Sequence, residues 1–477
     1  MSRSDPQFHF ERNLRGQYLF FTDGQPERLP ALQDFIKSFL KDPPILLWLD
    51  PDLPKSNLES DNFEQETVQL YFNKAGRLPD HFFSNPAKAI ILHGTKANVE
   101  YLVRRLGGAS RHSRVSIDLS AIGHNIRVLR QALAPKTRTM VMVKANAYGL
   151  GLEPVARYLK HIGVDYLGVA YTDEGVRLRE SGIPGPIMIM NSLAEDFPLF
   201  QHYDLEPEVY SPEYWAALRS LAVKGSEKPV RFHLKLETGM NRLGWREEDL
   251  TEFIETYPAG ENIILESVFS HLAAAGDSGE DDFTRQQQQR FNSMTQRLNQ
   301  AGFTFWRHLA NSDATARFPE MQYDLVRLGI SAYGISSHLK KLKTVASFRV
   351  RVSQVKKLTK GETVSYGRRF KASQDMYIAV LAAGYGDGLM RLLSSKGFKV
   401  YAGNQFYPVV GVICMDMFMI SLSDANLEPG DELEVFGKTQ SIKVVADLAQ
   451  TIPYELLTSL APRLRRDYIV RISNAFN

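Results

Sequence analysis

From about residue 112 the sequence alternates short β-branched or apolar runs with segments of helical period, and that alternation constrains the fold more than any other feature. The runs are RTMVMVK, VDYLGVA, PIMIMNS, LEPEVYS, RFHLKLE, ILESVFSH, TFWRHLANS and DLVRLGISAYG. Amphipathic stretches lie between them, including LEPVARYLKHIG, DEGVRLRESG, SPEYWAALRSLAVK and DFTRQQQQRFNSMTQRLNQAG, with the QQQQ tract inside a helical pattern. Eight strands alternating with helices predict an α/β architecture, a (β/α)8 TIM-like barrel over residues 111–345, rather than an open doubly wound sheet. In such a barrel the chemistry sits at the C-terminal ends of the strands. Lys144, Lys235, His271, Asn311 with Ser312, and Arg327 fall at or just beyond those ends. Each alone is an ordinary polar residue. Together, on one face of one architecture, they mark a candidate site. Lys144 sharpens the point, because an ammonium where a buried strand stops is costly unless something uses it. Most lysines at such places simply reach solvent along their aliphatic stems.

Beyond about residue 345 helical patterns largely stop. FRVRVSQVKKLTKGETVSYGRRF, DMYIAVLAAGYGDGL, GFKVYAGNQFYPVVGVICMDMFMISL and GDELEVFG read as strands between glycine-containing turns. Residues 346–477 are therefore expected to form a mostly β domain ending in a short helix near Glu455–Leu460. Residues 1–110 read as a separate small α/β module, with strands in GQYLFFTDG, PPILLWLDP and AKAIILHG and helices in LPALQDFIKSFLK and NVEYLVRRLG. That module carries no phosphate-binding loop and no dinucleotide fingerprint.

Composition excludes several classes. A net charge of +3 over 477 residues argues neither for nor against nucleic acid, and no basic block or basic-aromatic ribbon stands out. No apolar run is long enough for a membrane helix, and the start MSRSDPQFHFERNLR has no secretory apolar core. A single cysteine, Cys414, excludes an intramolecular disulfide and a cysteine-based metal site. The expectation is a soluble, reducing-compartment protein with no metal.

Seven motifs in order, VKANAYG, KLETGMNRLG, HLANS, VRLGISAYG, VSYGRRF, GYGDG and CMD, make the chain from about residue 112 onward resemble alanine racemase. The family's enzymes use pyridoxal 5'-phosphate (PLP) in a barrel domain followed by a β domain. The resemblance implies interconversion of L- and D-alanine by two-base proton transfer on the PLP Schiff base, supplying D-alanine for peptidoglycan. It implies Lys144 as the Schiff-base amine and one base, with Tyr385 of GYGDG as the other. Removing a proton from one face and returning one to the other calls for bases on opposite faces. In the family this tyrosine reaches the cofactor from the partner subunit, so a homodimer with shared active sites follows.

By the same resemblance Arg327 faces the cofactor's ring nitrogen, where its charge disfavours protonation and weakens the electron sink. His308 holds that arginine, and His271 stacks on the ring. Tyr148, Ser312 and the backbone of Gly329 and Ile330 take the phosphate. Arg242 faces the phenolic oxygen and lies near the substrate carboxylate, which the N–H of Met415 binds. Lys235 stands where many members carry a carbamylated lysine that orients that arginine. Tyr333 and Tyr366 are expected to line the entrance or the site and favour a small side chain.

The chain departs from the family pattern at Leu150, where a histidine is common, at Val412, where an arginine is frequent, and near Pro462, where some members place a tyrosine. Residues 1–110 faintly resemble the C-terminal domain of a MurF-type ligase without its ATP-binding part, which implies a non-catalytic module. Three other readings compete. A decarboxylase of the same barrel class would place a carboxylate, not Arg327, at the ring nitrogen. A racemase for a larger amino acid would differ only in pocket volume. A non-catalytic PLP-binding protein would lack the β domain that carries GYGDG and CMD.

Overall fold

A computed structural model of the chain describes residues 112–222, 229–258 and 263–471, together with five strands between Gln7 and Gly94. The chain divides into two compact units, Ala121–Lys343 and a second made of Met1–Ser120 with Thr344–Asn477.

In the first unit all eight expected runs are strands: β1 (Arg138–Met142), β2 (Tyr166–Val169), β3 (Ile187–Ile189), β4 (Glu206–Val209), β5 (Val230–Lys235), β6 (Ile263–Phe269), β7 (Trp306–His308) and β8 (Leu325–Leu328). They pair in parallel in the order β8-β1-β2-β3-β4-β5-β6-β7. Hydrogen bonds beside the last two close the ring, Asp324 N to Arg307 O at 3.1 Å and Arg327 N to Ala310 O at 3.0 Å. The strands are buried almost throughout, which is why they read as apolar runs and not as alternating ones.

The helices cover the barrel with one face each. Leu152–His161 buries Leu152, Val155, Ala156 and Leu159, each worth about 1–3 kcal/mol once out of water. The polar helix Asp281–Gln300 buries a single stripe, Thr284, Gln287, Phe291, Met294 and Leu298, at helical spacing. Gln287, from the QQQQ tract, has its own task. Its Oε1 accepts the Ala273 N–H at 2.9 Å and its amide donates to His271 O at 3.1 Å, which fixes the loop after β6.

In the second unit the long strand Ala346–Leu358 pairs with Met376–Leu381, Glu432–Phe436 and Ser113–Asp118. Through Lys399–Ala402, Gln405–Val410 and Phe418–Leu422 the sheet returns to Met376–Leu381, a closed circuit of six strands. The mostly β expectation holds, with one correction. The short helix Pro453–Thr458 is present but does not end the domain. Arg465–Arg471 follows as a strand parallel to Ser113–Asp118, held by Arg471 on Asp118 and by Arg114 and Arg465 on Asp467. Its charged first half, RRD, hid it from an apolar-run search.

Of the N-terminal strands, Tyr18–Thr22, Ile45–Leu49 and Ala89–Gly94 lie in the expected runs and pair in parallel. The two helices expected there lie outside the described residues.

Candidate active site

Lys144 follows β1 by one residue and opens a turn of unusual hand. Ala145, Asn146, Ala147 and Tyr148 all have φ between 52° and 56°, and Gly149 continues at 79°. A left-handed turn costs L-residues roughly 1–2 kcal/mol each, so it persists only where its surroundings enforce it. Here the Glu174 carboxylate accepts the Asn146 N–H at 3.3 Å and the Ala170 N–H at 2.9 Å, while Asn146 Oδ1 accepts the Leu152 N–H at 2.9 Å. Leu150, where a histidine is common, is wholly buried. Burial first, then the Arg242 charge, lowers the Lys144 pKa; Glu174 opposes and Lys235 adds to the lowering. No acceptor among the described residues takes the Lys144 Nζ.

Arg327 on β8 is 3% exposed. Its guanidinium donates to His308 Nδ1 at 2.7 Å, to His308 O and Leu309 O at 3.0 Å, and to Ser270 O at 2.6 Å. Burial pushes its pKa down to about 9, with Glu208 resisting and Arg242 reinforcing, so it stays charged at neutral pH.

The contact with His308 begins a chain that crosses the barrel strand by strand. His308 Nε2 lies 2.8 Å from Ser267 Oγ on β6, which lies 2.6 Å from His233 Nδ1 on β5. His233 Nε2 lies 2.9 Å from Glu206 Oε2 on β4, and Tyr166 on β2 hydrogen-bonds the same carboxylate. The direction of every bond follows from its ends. Arginine can only donate, so His308 Nδ1 accepts. Burial holds His308 well below the usual imidazole range, so it is neutral and its proton sits on Nε2. Ser267 then donates to His233 Nδ1, and His233 Nε2–H donates to Glu206.

A second group lies around Gly329. Gly329 N–H donates to Ser312 Oγ at 2.8 Å. A side chain at Gly329 would stand 2.9 Å from the Tyr148 hydroxyl and 3.7 Å from Ser312 Oγ. The three residues thus line one small recess that only glycine leaves open. Ser312 opens a short helix capped by Asn311, whose Oδ1 accepts the Ala314 N–H. Ile330 is buried, and among the described residues no acceptor takes its N–H. Tyr333 is placed differently from expectation. It packs edge-on to Tyr148 at 4.9 Å and donates to Met142 O at 2.8 Å, buried behind the site.

Lys235, at the end of β5, donates to Glu208 Oε2 at 3.2 Å. His271 connects the groups electrostatically. Burial, then the charges of Arg327, Arg242, Lys235 and Lys144, hold its pKa well below the ordinary value. One imidazole that feels all four cations places them at one end of the barrel.

In the second unit Tyr385 is 43% exposed and Met415 53% exposed. The two loops are laced together, Tyr385 N to Cys414 O at 3.0 Å and Gly386 N to Met415 O at 2.9 Å. A side chain at Gly384 would collide with the carbonyls of Cys414 and Met415. Arg463, the neighbour of Pro462, grips Asp387 with two bonds, 2.7 and 3.0 Å, and Asp416 with a third at 2.7 Å. Among the described residues no acceptor takes the Met415 N–H. Val412 is buried, and Tyr366 is largely exposed.

The barrel thus brings together Lys144, Tyr148, Lys235, His271, His308, Ser312, Arg327, Gly329 and Ile330, with Arg242 acting through its charge. Sequence reading missed Glu206, Glu208, His233, Ser267 and Arg463. The signal for Glu206, Glu208 and His233 was polar residues two apart within buried runs, as in LEPEVYS and RFHLKLE.

Among the described residues no helix is long and apolar enough to cross a membrane, and no group of side chains could hold a metal ion. Two family models match the chain: alanine racemase, N-terminal domain, over residues 117–337, and alanine racemase, C-terminal domain, over 345–468. Alanine racemase 1 of Oceanobacillus iheyensis is 34% identical over 75% of this chain and 98% of its own length. The alanine racemase of Carboxydothermus hydrogenoformans is 37% identical over 74% and 98%. Among solved structures, alanine racemase of Clostridium difficile 630 superposes with a TM-score of 0.72 at 29% identity, over 77% of this chain and 100% of that one. Alanine racemase from Bacillus anthracis with bound L-Ala-P gives 0.71 at 29% identity, over 76% and 96%.

Proposed function

The chain belongs to the alanine racemase family of PLP-dependent racemases, and on that premise we propose that it interconverts L- and D-alanine, with Lys144 and Tyr385 as the two bases. The observation that carries the proposal is the convergence of a lysine whose pKa burial lowers, a glycine-lined recess and a buried arginine at one end of the barrel. PLP, when bound, supplies an aldehyde that takes up the substrate amine and a ring that acidifies its α-hydrogen. The residues fit such a group. Ser312, Tyr148 and the Ile330 N–H beside Gly329 offer the donors a phosphate needs. The Lys144 amine, with its lowered pKa, is the group that would attach it.

Each side chain then has a task. Lys144 takes or returns the α-proton on one face, and Tyr385 does so on the other. Arg327, kept charged and immobile by His308 and three carbonyls, disfavours a proton on the ring nitrogen. His271, held neutral, packs on the ring. Arg242 and the Met415 N–H hold the substrate carboxylate. Tyr385 and Met415 stand exposed on rigid loops, and this supports a homodimer in which each chain completes its partner's site. A cytoplasmic role in supplying D-alanine for peptidoglycan follows from the family.

The test is D-alanine formation from L-alanine by the purified, PLP-loaded protein beside a Lys144→Ala control. Turnover lost in the control supports the reading. Bound PLP without turnover on alanine sinks it, and leaves another substrate or a binding role.

A further inference from the structure

Glu208 lies on β4, wholly buried, two residues beyond Glu206. Its Oε2 accepts the Lys235 hydrogen bond, while its Oε1 has no partner among the described residues. A buried carboxylate with one free oxygen is unusual and calls for an explanation. Its surroundings supply one. Lys235, Arg242 and Arg327 all favour its charged form, and its own charge in turn supports the charged form of Lys144. Burial lifts its pKa to about 7, and those cations oppose the rise. The other carboxylate near Lys144, Glu174, already serves two backbone N–H groups.

We propose that Glu208 is the resident counter-ion of this cationic cluster: it holds Lys235 as an unmodified ammonium and, by its charge, orients Arg242 toward the substrate. Glu208 is a positioning residue, since it acts through Lys235 and Arg242. The role in orienting Arg242 rests on the racemase reading, whereas the state of Lys235 does not.

The chemistry favours the ammonium. A carbamate forms when a neutral amine nitrogen bonds to the carbon of CO2 and releases one proton, which leaves a negative group. On Lys235 that group would stand beside a carboxylate that water does not reach. Two anions so placed disfavour one another strongly. The ammonium already has one acceptor and a counter-charge in Glu208, which opposes the lowering of the Lys235 pKa by burial. A negative neighbour for Arg242, the service a carbamylated lysine would give, is thus built into β4.

The experiment uses the PLP-loaded enzyme equilibrated with 13C-bicarbonate at neutral pH and read by 13C NMR. The native protein is expected to give no carbamate resonance, and its activity should not change when CO2 is removed. Glu208→Gln keeps the shape and loses the charge. This variant is expected to raise KM for alanine about tenfold with a smaller change in kcat, and to show a bicarbonate-dependent carbamate signal with partial recovery of KM. Glu208→Asp should restore most of the native KM. A carbamate resonance in the native holoenzyme overturns the proposal, as does a Glu208→Gln enzyme with native KM. Should Glu208→Gln fail to fold, the native spectrum still decides. The spectrum needs no turnover, so a protein inactive on alanine but free of carbamate would fail the racemase reading and leave the counter-ion standing.

Discussion

The two units solve opposite problems in holding a reactive side chain. In the barrel, the turn that carries Lys144 is held by the Glu174 carboxylate and Arg327 by His308 and three backbone carbonyls, and charge is the main currency: four basic groups, a buried acid and a hydrogen-bond chain from Arg327 to Glu206. In the β unit, Tyr385 is fixed by backbone, with two loops laced N–H to carbonyl and one arginine clamped on Asp387. The first arrangement tunes proton affinity, and the second leaves its residue open to whatever approaches. A base that must be poised belongs in the first setting; a base presented to another chain belongs in the second.

The sharpest break between them comes from removing each base. Lys144→Ala and Tyr385→Phe should each lower racemisation by about 10²–10⁴-fold, the usual contribution of a positioned base. Only Tyr385→Phe should retain exchange of the α-hydrogen for deuterium in one enantiomer, visible by proton NMR in D2O. Exchange of both enantiomers in that variant would mean that Tyr385 is not a base. Mixing the two inactive variants tests whether the halves come from different chains. Random reassortment of a dimer with shared sites puts both lesions in one site of each heterodimer and neither in the other, restoring about a quarter of native activity. No recovery after demonstrated subunit exchange would place both bases in one chain.

The next effect concerns the clamp. Asp387 is buried and its carboxylate serves Arg463 and the Gly384 N–H. Asp387→Asn should destabilise the β unit by about 1–3 kcal/mol, because the Arg463 guanidinium loses its anionic acceptor. It should lower kcat while PLP affinity holds, since the donors assigned to the phosphate lie in the barrel. Weaker PLP binding in this variant would blur the division of labour drawn above.

The hydrogen-bond chain gives a smaller, local effect. Glu206→Ala leaves the His233 Nε2–H without its acceptor, at a cost of about 1–3 kcal/mol. In the native protein, 15N NMR should find both His233 and His308 protonated on Nε2 alone. In Glu206→Ala the His233 tautomer is free to switch, whereas His308, whose Nδ1 still accepts from Arg327, keeps its proton on Nε2. Unchanged tautomers would mean that Arg327 alone sets the direction.

How much of this could be read from sequence follows the same division. Lys144, Arg327, His308 and Tyr385 were legible because each sits in a motif whose neighbours are close in the chain. The eight barrel strands were legible because burial on both faces leaves uninterrupted apolar runs. Glu206, Glu208, His233 and Ser267 were not, because their meaning depends on strand register. Only when β4 pairs with β5, and β5 with β6, do polar residues 27 and 34 positions apart become hydrogen-bond partners. Arg463 was missed for a like reason, since its partner Asp387 is 76 residues away. The strand Arg465–Arg471 begins with charges, Arg465 meeting Asp467 within the strand, and ends on Arg471 paired with Asp118.

The smallest predicted effect is a pH slope, and it separates Glu208 from the histidines around it. His271 and His308 have folded-state pKa values well below the ordinary one, so below about pH 6.5 the unfolded chain binds protons that the folded barrel refuses. Their contribution to stability is present above that pH and is lost as pH falls. Glu208 acts in the reverse sense. Its folded pKa is raised to about 7, so between its unfolded value and that point the folded state binds the extra proton. Its contribution is present at low pH and is lost as pH rises toward 7. In the native protein the two trends oppose each other over about pH 4.5–6.5. Replacing Glu208 with Gln removes one of them, so the rise of stability with pH across this window should steepen by up to about 1.4 kcal/mol per pH unit. Denaturant unfolding of both proteins at several pH values measures it. Parallel slopes would mean that Glu208 stays ionised throughout, bound more tightly to Lys235 than its burial suggests, and the counter-ion would then be permanent and not titratable.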